Sequence, residues 1–146
     1  MPTVSRTFTV TPPPQQVLDY LADFGNAPQW DPGTETCRQN GAGPVEVGTS
    51  WHNVSTVVGV TTELTYTLRE KAPDHIVLVG ENDSSTSTDT ITVVPVGTGS
   101  EITYTAELEM HGAAKLATPV MKLVFEKLAS DTEEQMTTVL NALPSA

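Results

Sequence analysis

The chain has 146 residues, 38% of them hydrophobic and 17% charged, so it is long enough to bury a core without metal ions or disulfides. Its formal net charge of -11 creates a negative field that disfavours nucleic acid and anionic membrane surfaces as partners. Cys37 is the one cysteine, which excludes an internal disulfide and a cysteine-based metal cluster. The length predicts one globular domain over residues 1–146. We expect it to be cytoplasmic, because the N-terminus lacks the apolar core of a signal peptide.

The N-terminal part reads as a strand followed by two short helices. The alternating, β-branched segment TVSRTFTV predicts a first strand over 3–10. The prolines at 12–14 favour a helix start, and the helical spacing behind them predicts a short helix over 13–24. In the next segment, NAPQWDP, two prolines leave room for a single helical turn, which presents Trp30 and Asp31.

The rest of the chain changes its hydrophobic period once. From 33 to 110 the period is two, which predicts six further strands, mostly joined as hairpins. After residue 112 the period becomes 3.6, which predicts one long helix over 113–143. Pro119 is expected to kink or break this helix near its start, because proline removes a backbone hydrogen bond. The apolar stripe of the helix carries Leu116, Val120, Leu123, Val124, Leu128, Met136, Val139, Leu140 and Leu143.

Several stretches of the sequence resemble one known superfamily. They are TFTVTPPPQQVLDYLADFGNAPQWDPG, VGTSW, ELTYTLREKAPDHIVLVGEN, and TDTITVVPVGTGSEITYTAELEM before GAAKLATPVMKLV. With the order of elements, they resemble the START, birch-pollen-allergen and polyketide-cyclase (SRPBCC) superfamily, of the polyketide cyclase/dehydrase and lipid transport type, over nearly the entire chain. The resemblance implies an α+β helix-grip fold: a seven-stranded curved antiparallel sheet wraps around a long C-terminal helix, with two short helices between strands 1 and 2.

Alternation along the strands divides the sheet into two faces. The face with most aromatic and aliphatic side chains is expected to be concave and to face the terminal helix. Polar groups on it need partners when they are buried, and a ligand or trapped water could supply them. We therefore predict a ligand pocket lined by Trp30, Gln39, Trp51, Asn53, Ser55, Tyr66, Leu68, Leu78, Tyr104, Leu108, Leu116, Val120, Leu123 and Val124.

Some of these residues have a second interpretation. Tyr66 and Tyr104 are alternatively core tyrosines whose hydroxyls bond to backbone carbonyls. Trp30 either lines the opening of the pocket, seals it as a plug, or fills the core. A hollow larger than about 300 Å³ would distinguish a binding site from a filled core.

The sequence assigns no catalytic residue, metal site or cofactor. The three histidines, His52, His75 and His111, are scattered over predicted elements and do not converge as metal ligands do. Cys37 has no evident activating base and is expected to be an inert thiol. Asp31, Gln39, Asn53, Tyr66 and Tyr104 are the candidates for acid–base work, although Asp31 before proline is also a common turn former.

Three functions stay open at this stage, because the superfamily that the sequence resembles reuses its pocket for unrelated tasks. The first is binding or transport of a hydrophobic or amphipathic small molecule, such as a lipid, polyketide or aromatic compound. The second is a polyketide cyclase or dehydratase, and the third is a protein-interaction module with a vestigial cavity. The expected partner is a hydrophobic small molecule, without nucleic acid or stable membrane insertion, and the protein is expected to be a monomer or weak homodimer.

Overall fold

The structure, a computed structural model, describes residues 3–57, 59–111 and 119–144. Seven strands form one antiparallel sheet in the order β1-β7-β6-β5-β4-β3-β2. Two short helices follow the first strand, and a long helix ends the described chain. The predicted helix-grip fold is confirmed. In chain order the elements are β1 Thr3–Val10, α1 Pro14–Ala22, a 3-10 turn Phe24–Asn26, α2 Ala27–Trp30, β2 Thr34–Gln39, β3 Ser50–Val57, β4 Val60–Lys71, β5 His75–Glu81, β6 Ser85–Val96, β7 Gly99–Met110 and α3 Pro119–Asn141.

The helix predicted over 13–24 is two helical pieces. α1 ends at Ala22 because Asp23 adopts an extended conformation, and its carboxylate accepts a hydrogen bond from the Gly25 backbone N–H at 3.1 Å. This bond caps the 3-10 turn that follows, as short polar side chains commonly do at helix starts. The single turn predicted around Trp30 is confirmed as α2.

The long helix α3 packs beside β1 and α2. The Arg6 guanidinium of β1 bonds to the Glu126 carboxylate at 2.9 Å, and the Gln135 side chain donates to the Gln29 carbonyl at 3.1 Å. The described part of α3 starts at Pro119; the predicted helical residues 113–118 lie outside the described part of the chain, and so does the segment that would show the predicted kink or break at Pro119. Its inward positions are spaced at three and four residues: Phe125, Ala129, Thr132, Met136 and Leu140.

The prediction that Leu123 lies on the buried stripe is wrong. Its side chain is 71% exposed. Leu123 precedes Phe125 by two positions, which places it about 200° around the helix from the inward line.

The division of the sheet into two faces is confirmed. Leu68, Ile76 and Leu78 are fully buried on the concave face, whereas Arg69 and Glu107 are exposed on the other. The register places Tyr66 beside Gly80 across β4 and β5, and Asp89 beside Ala106 across β6 and β7. These pairs lie in the middle of the concave face.

Candidate functional site

The concave sheet and α3 enclose a cavity of about 600 Å³. One wall comes from α3, through apolar side chains such as Val124, Phe125 and Leu128. The opposite wall comes from β4, β6 and β7 and carries the polar groups described below. A volume of this size is typical of pockets that take a small molecule, and it exceeds the limit of about 300 Å³ set above for a binding site.

Asp89 of β6 is the charged residue buried deepest in this wall, with an exposed fraction of 4%. On its own strand and across the sheet it lies among apolar neighbours: Ile91 two residues along, Leu78 on β5 and Ala106 on β7. No described residue donates a hydrogen bond to its carboxylate. Burial, and secondly the negative charge of Asp31, raises the pKa of Asp89 to about 8.

Tyr66 and Tyr104 approach Asp89 from β4 and β7 and line the same cavity. No described backbone carbonyl accepts a hydrogen bond from either hydroxyl, so the interpretation as ordinary core tyrosines is not supported. Burial, followed by the charge of Asp89, raises the pKa of both phenols well above the usual range; the Ser87 hydroxyl opposes this more weakly at Tyr66. Both side chains therefore remain protonated hydrogen-bond donors at neutral pH.

The ring of Tyr66 lies over Gly80, where a side chain has no room. A Cβ atom at this position would be 2.5 Å from the ring carbon Cζ. We therefore expect Gly80→Ala to displace the ring and to lower the free energy of unfolding by about 1–3 kcal/mol, as overpacking does. Chemical denaturation measures this. In a Tyr66→Ala background the same substitution should be neutral or stabilising, because glycine is unfavourable in a strand; an equal loss in both backgrounds would contradict the proposed contact.

Asp31 supplies a second carboxylate to the cavity, from the loop after α2. It accepts hydrogen bonds from the Gly33 backbone N–H and the Thr34 hydroxyl, both at 3.0 Å. Burial raises the pKa of Asp31, and these two bonds oppose the effect. Asp31 is thus a turn former, as the Asp-Pro sequence indicated, and also part of the cavity wall.

Asn53 does not offer its amide to a ligand, contrary to the predicted lining. Its oxygen accepts from the Ser55 hydroxyl at 2.6 Å, its Nδ2 donates to Thr34 Oγ1 at 3.4 Å, and the side chain is fully buried outside the cavity wall. Because Thr34 donates to Asp31, a chain of hydrogen bonds joins β3 to the loop after α2. Gln39 also lies away from the cavity, and its amide donates to the Gly43 carbonyl at 3.2 Å.

Both tryptophans belong to the core and not to the cavity wall. Phe24 lies edge-on to Trp30 and Trp51, with ring centroids 5.8 and 6.1 Å apart, and all three side chains are fully buried. Trp30 therefore neither lines the opening nor plugs it. The predicted lining residues Leu68 and Leu78 are likewise fully buried core residues. The cluster packs directly behind the cavity, since Phe24 contacts Tyr66 at 4.5 Å and Trp30 contacts Tyr104 at 6.4 Å between centroids.

Part of the predicted pocket lining thus lies at the cavity, and part of it does not. Leu123 is exposed, Leu116 lies outside the described residues, and the side chain of Val120 is not among those described. Asp89 was missed, although it stands two residues before Ile91 on the same strand face and alternation alone could have found it. The predicted residues that line the cavity are Ser55, Tyr66, Tyr104, Leu108 and Val124.

The described residues give little support to a cysteine nucleophile, a metal site or a membrane-spanning helix. Burial is the main cause that raises the pKa of the half-buried Cys37 thiol to about 11, so it remains protonated and is a poor nucleophile. No group of three or more His, Cys, Asp or Glu side chains converges within 3–57, 59–111 and 119–144. Of the helices described, none combines the length and apolar character needed to cross a bilayer.

A seven-stranded antiparallel sheet, a long helix and a cavity between them are the architecture of a class of small-molecule-binding proteins and cyclases. The chain belongs to the polyketide cyclase/dehydrase and lipid transport family, whose model matches residues 1–142. The superfamily that the sequence resembles is therefore confirmed. No curated protein sequence matches the chain.

Solved structures share the fold at low sequence identity. A START superfamily protein from Mycobacterium smegmatis has a TM-score of 0.80 at 15% identity, over 97% of this chain and 99% of that one. The Zhui aromatase/cyclase from Streptomyces sp. R1128 has a TM-score of 0.72 at 16% identity, over 95% and 90%. The ginseng (Panax ginseng) major latex-like protein 151 has a TM-score of 0.72 at 9% identity, over 97% of both chains. At these identities the likeness shows the fold alone.

Proposed function

We propose that this protein binds a hydrophobic or amphipathic small molecule in the cavity between the sheet and α3. The observation that carries the proposal is the cavity of about 600 Å³, whose wall is mostly apolar but includes the buried Asp89 carboxylate, to which no described residue donates a hydrogen bond. Filling such a space with a ligand removes apolar surface from water and offers partners to Asp89, Tyr66 and Tyr104. Family membership supports binding of a hydrophobic compound.

Titration with Nile red, a neutral apolar dye, tests this proposal. We expect a fluorescence increase that saturates at one dye per chain. Ala106→Phe, which adds a ring inside the cavity, should weaken dye binding by at least about tenfold, since 1.4 kcal/mol corresponds to that factor. Thr105→Phe is the matched control, because the neighbouring residue of β7 points to the opposite face of the sheet and should leave affinity unchanged.

The outcome that contradicts the proposal is equal dye binding by both variants, or none by the wild type. Far-UV circular dichroism establishes that each variant is folded. Ser87→Phe fills the same cavity from β6 and replaces Ala106→Phe if that variant does not fold.

One observation also favours acid–base chemistry on the bound molecule as a second candidate. A general acid or base works best with a pKa near the working pH, and Asp89, at about 8, lies between two phenols in the cavity. A linear poly-β-ketone thioester, followed by absorbance of an aromatic product, is the test substrate. Turnover that disappears in Asp89→Asn while Nile red still binds would support a cyclase; no turnover by the wild type would leave binding as the function.

A further inference from the structure

The cavity wall carries two carboxyl groups and no described basic side chain. Asp31 and Asp89 line it, whereas no described lining residue is Lys, Arg or His. Arg6 lies on β1 opposite Tyr104, but its guanidinium is bound to the Glu126 carboxylate at 2.9 Å and the Ser130 hydroxyl at 3.2 Å. The other described basic side chains lie elsewhere: Arg38 is exposed, and Arg69, Lys71 and Lys127 pair with Glu81, Asp19 and Asp131.

The Asp89 carboxylate is the group that this arrangement leaves in need of a partner. Its exposed fraction is 4%, so it is 96% buried. It lines the cavity, and no described residue donates a hydrogen bond to it. An anionic headgroup beside it would repel the ionised form of the carboxylate in a poorly solvated space, where like charges repel strongly. A cationic headgroup would instead form the charge-assisted hydrogen bond that the carboxylate lacks.

The surroundings of Asp89 suit an amine with an apolar tail. Tyr66 and Tyr104 line the same cavity as the carboxylate, and their hydroxyl oxygens can accept hydrogen bonds from an ammonium group. The helix wall beyond them, with Val124, Phe125 and Leu128, is apolar and can cover a hydrocarbon chain or ring. The net charge of -11 also raises the local concentration of cations around the protein.

We infer that the molecule bound in the cavity is an amphiphile whose polar end is a protonated amine, held by the Asp89 carboxylate with Asp31 as the second negative charge. This inference rests on the proposed function, because it requires that the cavity binds a ligand. Among the described residues the cavity offers no basic side chain to a fatty acid or another anionic lipid.

Displacement of Nile red by three probes of equal chain length tests the inference. The probes are decylamine, decanol and decanoic acid, used at pH 8, with the amine and the acid below their micellar concentrations and the alcohol below its solubility limit. We expect the amine to displace the dye at least tenfold more effectively than the alcohol, and the acid least. Asp89→Asn should weaken amine binding at least tenfold and change alcohol binding less than threefold, whereas Asp131→Asn, which removes the same charge outside the cavity, should change neither.

The outcomes separate this inference from the proposed function. If the acid or the alcohol binds as tightly as the amine, or if Asp89→Asn leaves amine binding unchanged, the inference is overturned while the cavity remains a binding site. If no probe and no dye binds, the proposed function fails and the inference fails with it.

Discussion

Asp89→Asn is expected to stabilise the protein, by an amount that grows as the pH rises from about 4 to about 8. The pKa of Asp89 is raised from 3.8 in a solvated chain to about 8 in the fold. Between these values the folded state keeps a proton that the unfolded state has released, so wild-type stability falls with rising pH, by up to about 1.4 kcal/mol per pH unit. Asparagine has nearly the same shape and does not ionise, so the variant avoids this loss.

Chemical denaturation of both proteins at pH 5, 7 and 9 measures the effect. The difference in free energy of unfolding should widen from pH 5 to pH 7 and reach on the order of 5 kcal/mol above pH 8, where it stops growing. Asp131→Asn serves as the control, since that carboxylate lies on the outer side of α3 beside Lys127 and should show no such trend. A difference that does not change with pH would mean that Asp89 ionises in the fold as it does in water.

The loss of stability expected from ionisation of Asp89 suggests that this residue serves a function at the site and is not there only for packing. A carboxyl group that is buried without a partner and destabilises the fold as the pH rises is an exception in proteins, and such exceptions concentrate at functional sites. A cation bound beside Asp89 would offset this loss of stability at high pH, because it favours the ionised carboxylate.

Trp51→Ala is expected to lower the free energy of unfolding by about 3–5 kcal/mol, the range for removing a fully buried aromatic side chain. Trp51 has no exposed surface and packs edge-on against Phe24, which in turn supports Tyr66. Its indole nitrogen has no hydrogen-bond partner in the described structure. Trp51→Phe therefore loses volume but no hydrogen bond, and it should cost less than the alanine variant.

The same pair of variants distinguishes a core residue from a ligand contact. Denaturant titration gives the stabilities, and Nile red titration of Trp51→Phe gives the affinity. We expect the affinity to stay within about threefold of the wild type, because Trp51 does not line the cavity. A tenfold loss of dye binding in a stably folded Trp51→Phe protein would place the indole in the binding site and restore the original prediction.

Much of the architecture follows from hydrophobic periodicity along the chain. A period of two over 33–110 assigned residues such as Leu68 and Tyr104 to the concave face, because a strand turns alternate side chains to opposite sides. The change to a period of 3.6 located the long helix, and the prolines at 12–14 marked where α1 begins. Local sequence therefore determined the elements and their inward faces.

Only the tertiary structure decided which inward residues meet the cavity. Trp51 and Tyr66 share one face of the sheet, yet Trp51 is fully buried in the core, while Tyr66 borders the cavity. Asn53 finds one partner in Ser55 of its own strand and another in Thr34 of β2, so its polarity did not indicate a ligand. Asp89 acquires its raised pKa from burial and from Asp31, 58 positions away in the numbering. Such effects depend on how separate elements pack together, and periodicity within one element carries no information about them.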